Sequence, residues 1–281
     1  MTTATVNGVD LHVEVHGSGE RLLLVHGSWG DAHNWGAVIE PLAERFEVVT
    51  FDRRGHSRSG DSPGPGSRLE DAADVATLIE HLGGGPAHVV GNSYGGSVTL
   101  TLVASRPDLV ASAVAHEPPL FALLEGMDDP ALAAELSGIR QRIHAVLQLL
   151  DGGDHEGGAR LFVESVAFGP GAWEHLPEAL RRVFVANAQT WADEQHDPGS
   201  LSIDAAALAA TSVPLVLTRG TESPPLFTAV VERLAAFVPA AEVQVLQGVG
   251  HVPQTSHPRV FVANLFAFHD RLGALRGGRS R

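Results

Sequence analysis

The stretch AHVVGNSYGGSVTL, residues 87–100, places one serine, Ser93, where an apolar run gives way to glycines and then to a helical pattern. Gly91-Asn92-Ser93-Tyr94-Gly95 matches G-x-S-x-G, a turn so tight that only small residues fit two before and two after the serine. Such a turn lifts the Ser93 hydroxyl out of a sheet and aims a helix N-terminus at its surroundings, which suits a developing negative charge. The bland alternative is a glycine turn whose serine caps the helix. A nucleophilic serine needs a base. VLQGVGHVPQ supplies His251 after the last expected strand, and position alone selects it among fifteen histidines. A tetrahedral oxyanion needs two backbone donors. These are expected from the amide of Tyr94 and from Ser28 in LLLVHGSWGDAHNW, where Gly27 lets the backbone turn inward. Trp29 or the Ser28 hydroxyl then lies near substrate, and His26 braces the loop.

These residues need a frame. Asn7-Gly8 between two alternating segments is a hairpin signal, because a type I′ turn requires positive φ at both central residues. RLLLVHG, FEVVTFD, AHVVG, LVASAVAHE, VPLVLTRG and AEVQVLQG read as buried strands, with helical patterns between most of them. Leu69, Ala72, Ala76 and Ile79 mark one apolar helix face opposite Glu70, Asp71, Asp74 and Glu80. Phe261, Leu265, Phe268 and Leu272 repeat that spacing near the end of the chain. Strands alternating with helices imply a mostly parallel sheet covered on both faces. Residues 118–202 break the rhythm: they hold no clear strand, and Leu132, Leu136, Ile139, Ile143, Leu147 and Leu150 form a helical stripe. This segment is expected to be a helical insertion. It either only adds packing or covers the strand C-termini, where open α/β sheets bind ligands. GDSPGPGS, residues 60–67, reads as a surface loop and RGGRSR, residues 276–281, as a disordered basic tail.

Composition narrows the chemistry. The 281 residues carry a formal charge of −14, which disfavours nucleic acid or an anionic membrane surface as partner and suits a small neutral or apolar ligand. There is no Cys, hence no disulfide, thiolate metal site or cysteine nucleophile, and no Lys, hence no Schiff base or P-loop. No cofactor or metal is expected. The N-terminus has no signal-peptide pattern and no apolar run is long enough to span a bilayer, so a cytoplasmic location is expected.

The strand ending in HG, then FDRRGHSRSG, GNSYGG and GVGH, in this order, resemble the α/β-hydrolase superfamily over nearly the whole chain. The resemblance implies an eight-stranded, mostly parallel sheet with flanking helices, formed by residues 1–117 and 203–281, with a helical cap at 118–202. It also implies the serine rather than the aspartate branch. Asp52, Arg54, Gly55 and Ser57 match the family's D-x-R-G-x-G-x-S, with His56 in place of the second glycine, a motif that steadies its loop. The family's acid commonly follows the seventh strand as G-x-x-D, where this chain has Ser223 and, one residue early, Glu222. A second known position is the end of the sixth strand, where Glu117 stands. Glu117 is the preferred partner for His251, and Glu222 the alternative. Trp29, Trp173 and Trp191 are the candidates for facing substrate, with Phe162 and Phe168 also in the cap.

The leading expectation is a serine hydrolase that opens an ester, thioester or related activated carbonyl through an acyl-enzyme. A lyase or C–C bond hydrolase could reuse Ser93 and His251 for proton transfer, and would show activity without a trappable acyl-enzyme. A ligand-sensing receptor on the same fold would need no complete nucleophile, base and oxyanion loop. Epoxide hydrolase and haloalkane dehalogenase are disfavoured, since similar enzymes use an aspartate nucleophile.

Overall fold

The computed structural model describes residues 2–61 and 64–278, with side chains through residue 274. Strands β1 (Thr2–Val6) and β2 (Val9–Gly17) form an antiparallel hairpin, with Asn7 at φ 47° and Gly8 at φ 81° making the turn. The other strands are β3 (Glu20–Val25), β4 (Phe46–Phe51), β5 (Ala87–Asn92), β6 (Val110–His116), β7 (Leu215–Gly220) and β8 (Glu242–Leu246). Together they make one eight-stranded sheet in the order β1-β2-β4-β3-β5-β6-β7-β8. β2 pairs with β4 antiparallel, and every later pairing is parallel. The central runs are apolar at successive positions because both faces are covered: Leu22, Leu23, Leu24 and Val25 are all buried. Fully burying each such leucine contributes roughly 1.5–3 kcal/mol.

The helices are α1 (Gly36–Ala43), α2 (Arg68–Leu82), α3 (Tyr94–Ser105), α4 (Pro130–Asp151), α5 (His155–Phe162), α6 (Ala172–His175), α7 (Glu178–Ala186), α8 (Ala188–His196), α9 (Ala205–Ala209), α10 (Pro225–Phe237), α11 (Pro253–Ser256) and α12 (Pro258–Gly278). One face of the sheet packs with α2, α3 and α10 through Val75, Val98, Leu102, Val230 and their neighbours. The other packs with α1 and α12 through Trp35, Val38, Phe261, Leu265 and Phe268. The strand order reverses between β3 and β5, and that crevice at the C-terminal ends of the strands is where such sheets place ligands. A third apolar cluster lies outside these two layers. It joins Val146 and Leu150 of α4, Ala159 of α5, Trp173, Phe184 and Trp191 to Trp29 of the loop after β3. The α4 stripe is therefore shared: Leu132, Leu136 and Ile139 pack on the main core, whereas Ile143, Leu147 and Leu150 pack in the third cluster.

Several local expectations are corrected. Leu69 is 66% exposed, while Asp71 and Asp74 of the same helix are buried. The reason is pairing: Asp71 accepts a hydrogen bond from Arg53 at 2.7 Å, and Asp74 takes both Nε and Nη2 of Arg54 at 2.7 Å. Counted along D-x-R-G-x-G-x-S from Asp52, the second glycine's place falls on Ser57 and not His56, and Ser57 takes φ 46°, the left-handed region that favours glycine. Ser59 then stands for the motif's serine, and its hydroxyl donates to the Asp52 carbonyl at 2.6 Å. The tail is helical through Gly278, and residues 279–281 lie outside those described, as do 62 and 63 of the surface loop.

Candidate active site

Ser93 sits between β5 and α3 at φ 56°, ψ −126°, and its side chain makes no hydrogen bond to the helix it precedes. A capping role is thereby set aside. A side chain on Gly91 would lie 2.1 Å from the Gly95 carbonyl oxygen, and one on Gly95 would lie 2.1 Å from that of Val25. Steric closeness thus dictates both glycines. The Ser93 amide donates to the His116 carbonyl at 2.8 Å, fixing the turn to β6. Tyr94 opens α3, so its amide is among the first-turn donors without an intrahelical acceptor. Gly27 brings the loop after β3 against the turn: a Cβ there would stand 3.1 Å from both the Asn92 carbonyl and the Ser93 Cβ.

His251 lies on the loop between β8 and α11. Its Nδ1 meets Glu117 Oε2 at 2.7 Å, and its ring stacks on Phe227 with centroids 4.2 Å apart. Asn92, the residue before Ser93, donates from Nδ2 to the His251 carbonyl at 2.8 Å and accepts from Gln254 Nε2 at 3.2 Å. The turn and the histidine loop are thus tied by one amide side chain. Glu117 is fully buried immediately after β6, at φ 46°, and its Oε1 accepts from the Gly220 amide at 2.7 Å. Burial pushes its pKa up, but the hydrogen bonds from His251 and the Gly220 amide, with the adjoining imidazoles, outweigh that and hold it below the ordinary carboxylate range. Being ionised, Glu117 can only accept, so His251 Nδ1 carries the proton of this bond. Beside the pair, His116 bonds Thr218 Oγ1 through Nδ1 at 2.9 Å, and burial takes its pKa down to about 4. Glu222, by contrast, is exposed, and its backbone amide donates to the Val249 carbonyl at 2.9 Å.

The loop carrying Ser28 is held by groups remote in the chain. His26 is buried, its Nε2 accepts from the Arg53 amide at 2.9 Å, and burial takes its pKa down to about 4. The Ser28 hydroxyl donates to Glu194 of α8, which also receives Arg53. The Arg53 guanidinium stacks over the Tyr94 ring at 4.6 Å. Burial raises the pKa of Glu194 and pushes that of Asp71 up to about 7, although Arg53 opposes both shifts. Asn187, between α7 and α8, donates to the carbonyl of Gly30 at 2.9 Å and accepts from the Ser57 amide at 2.8 Å. Glu194, Asn187 and Asn92 escaped the sequence reading. The partners of Glu194 and Asn187 lie more than a hundred residues away, and Asn92 occupies a variable position of its motif.

The three tryptophans expected to face substrate are all buried. Trp29, at φ 64°, packs against Phe162 with centroids 4.7 Å apart and Trp191 at 5.0 Å, and Trp173 belongs to the same cluster. Phe162 joins them, whereas Phe168 is 53% exposed. A cavity of about 420 Å³ lies beside the site, walled by Arg54, Asp71, Tyr94, Thr190, Asp193 and Glu194 among others, but not by Ser93, His251 or any of these tryptophans.

The fold and these groups define a class, and a family model describes it: the alpha/beta hydrolase family model matches residues 22–264, and the chain belongs to that family. It is 42% identical over 126 residues to YraK of Bacillus subtilis (strain 168), described as an uncharacterised hydrolase, a match covering 44% of this chain and 46% of that protein. It is 40% identical over 103 residues to RutD of Azorhizobium caulinodans, a provisionally named carbamate hydrolase, covering 37% and 39%. The matches thus span under half the length of these curated relatives. An alpha/beta hydrolase from Sphaerobacter thermophilus DSM 20745 superimposes with a TM-score of 0.77 at 26% identity, covering 95% of this chain and all of the other. Among the described residues no helix is long and apolar enough to cross a membrane.

Proposed function

We propose that this chain is a serine hydrolase that opens an ester, thioester or related activated carbonyl of a small neutral or apolar molecule through an acyl-enzyme. The observation that carries the reading is the strained Ser93 turn, tied through Asn92 to a histidine whose Nδ1 is already bonded to the buried carboxylate of Glu117. With Nδ1 occupied, Nε2 is the nitrogen left to take the Ser93 proton as Oγ attacks the carbonyl carbon. The amides of Ser28 and Tyr94 receive the oxyanion, His251 returns its proton to the leaving group, and water then releases the acyl group by the reverse sequence. A carbamate is one such carbonyl, which makes the name of RutD consistent with this substrate class. The residues inserted between β6 and β7 are proposed to roof the site and choose the substrate.

Treatment with a fluorophosphonate, followed by mass mapping, tests nucleophile and reaction class together. The adduct is expected on Ser93, and Ser93→Ala should lose on the order of 10³-fold or more in kcat while remaining folded. Unimpaired turnover by the alanine variant would overturn the acyl-enzyme mechanism.

A further inference from the structure

At the opposite ends of the same strands, Glu20, His88 and His269 bring a carboxylate oxygen and two imidazole nitrogens within 4.8 Å of one another. The register makes this placement obligatory. Leu22 of β3 pairs with His88 of β5, so Leu22 and His88 point to one face of the sheet, and Glu20, two residues before Leu22, points to it as well. That face is covered by α12, whose buried Leu265, Phe268 and Leu272 turn His269 toward the strands. His269 Nε2 lies 2.7 Å from Glu20 Oε2, and His88 Nε2 lies 3.7 Å from the same oxygen.

We infer that these three side chains form a site for a divalent transition-metal ion, with Zn²⁺ the best-suited probe. Two imidazoles and one carboxylate are its ordinary ligands, and tetrahedral geometry with bonds of about 2.0–2.1 Å puts ligand atoms roughly 3.3 Å apart. The observed 2.7 and 3.7 Å bracket that spacing, so modest side-chain adjustment suffices. The surroundings are those of a metal-binding histidine. His88 Nδ1 meets Ser112 Oγ at 2.7 Å, a hydrogen bond that fixes the ring with Nε2 on the side of the cluster. The Phe46 ring stands edge-on to His269 at 4.7 Å and gives the site an apolar wall. Side-chain exposure runs from 7% for His88 through 21% for His269 to 54% for Glu20, so the cluster is reached from solvent at the carboxylate. Ser93 stands five positions after His88, or roughly 16–17 Å at the rise of a strand. The ion would clamp the C-terminal helix to β3 and β5 and take no part in hydrolysis.

Zn²⁺ titration by calorimetry, with Co²⁺ absorption as a spectroscopic check, tests the assignment on the full chain. One equivalent is expected to bind, more weakly as falling pH protonates the imidazoles, and Zn²⁺ should raise the unfolding midpoint. Glu20→Gln and His269→Ala should each weaken binding by about tenfold or more, abolish the midpoint shift and leave metal-free hydrolytic activity unchanged. The other three-ligand cluster among the described residues, His116, Glu117 and His251, supplies the control: His251→Ala should retain the high-affinity equivalent. Absence of saturable binding, undiminished binding in both variants, or loss confined to His251→Ala would each overturn the proposal.

Discussion

Glu117 and His251, 134 residues apart in the chain, meet through a 2.7 Å hydrogen bond at the C-terminal edge of the sheet. Glu117 is held there by a positive-φ backbone and by the Gly220 amide, whereas Glu222 is exposed two residues beyond the strand that supplies that amide. Replacing the carboxylate that orients and stabilises the imidazolium keeps the shape of the site and removes its charge. Glu117→Gln is therefore expected to cost up to about 10⁴-fold in kcat. Glu222→Gln should stay within about tenfold. Steady-state kinetics on the two variants checks this, and the reverse ranking would reassign the acid while leaving the hydrolase reading intact.

The pH dependence follows from the same neighbourhood. Glu117 is held below its ordinary range and so remains ionised, while His116, taken down to about 4 by burial, remains neutral. The base at this pair is therefore the His251 imidazole, which accepts the Ser93 proton only when Nε2 carries none. Activity is expected at high pH and lost as pH falls, with log(kcat/KM) approaching a slope of one and not two. Asp71, pushed up to about 7, is the nearby group that could imitate such a limb. Asp71→Asn should nevertheless retain it. A profile without this limb, or one flattened by Asp71→Asn, would count against His251 as the base.

The sheet was legible because its signals are local. Apolar runs such as RLLLV, the Asn7-Gly8 turn and the glycines flanking Ser93 each act within a few residues, through strand burial, positive φ or steric closeness. The buried Asp71 and Asp74 were not legible from helical periodicity, which assigns charged residues to water. Their burial depends on Arg53 and Arg54, delivered by a different loop. Ser57 misled for a related reason: a serine can occupy a glycine's left-handed position when hydrogen bonds hold it, and the hydrogen bond its amide donates to Asn187 crosses 130 residues. Aromatic character likewise marked Trp29, Trp173 and Trp191 as notable, but it does not distinguish a substrate wall from a packed interior.

That last distinction yields a prediction about α8, which is attached to the rest of the molecule in two chemically different ways. Trp191 is an apolar anchor, 3% exposed and packed against Trp29 and Phe162. Truncating it to alanine empties a tightly filled site, and the expected cost is about 3–5 kcal/mol of stability. Glu194, one turn further on, is a polar anchor that receives the Ser28 hydroxyl and the buried Arg53. Glu194→Ala takes one of two carboxylates from the buried guanidinium, leaving it Asp71 and the neutral His56 ring, and is expected to destabilise by a comparable 3–5 kcal/mol. Glu194→Gln keeps an acceptor for Ser28 and should lose less. The two anchors differ in their effect on turnover, because Glu194 bonds Ser28 itself, whose amide is the proposed oxyanion donor, whereas Trp191 meets that loop through the Trp29 ring. Glu194→Gln should lower kcat more than it raises KM. Trp191→Ala, assayed where it is fully folded, should retain most of its kcat and its ranking of substrates. Urea denaturation with parallel kinetics separates these outcomes. A Trp191→Ala enzyme of normal stability but altered specificity would return that side chain to the substrate wall, against the packing seen here.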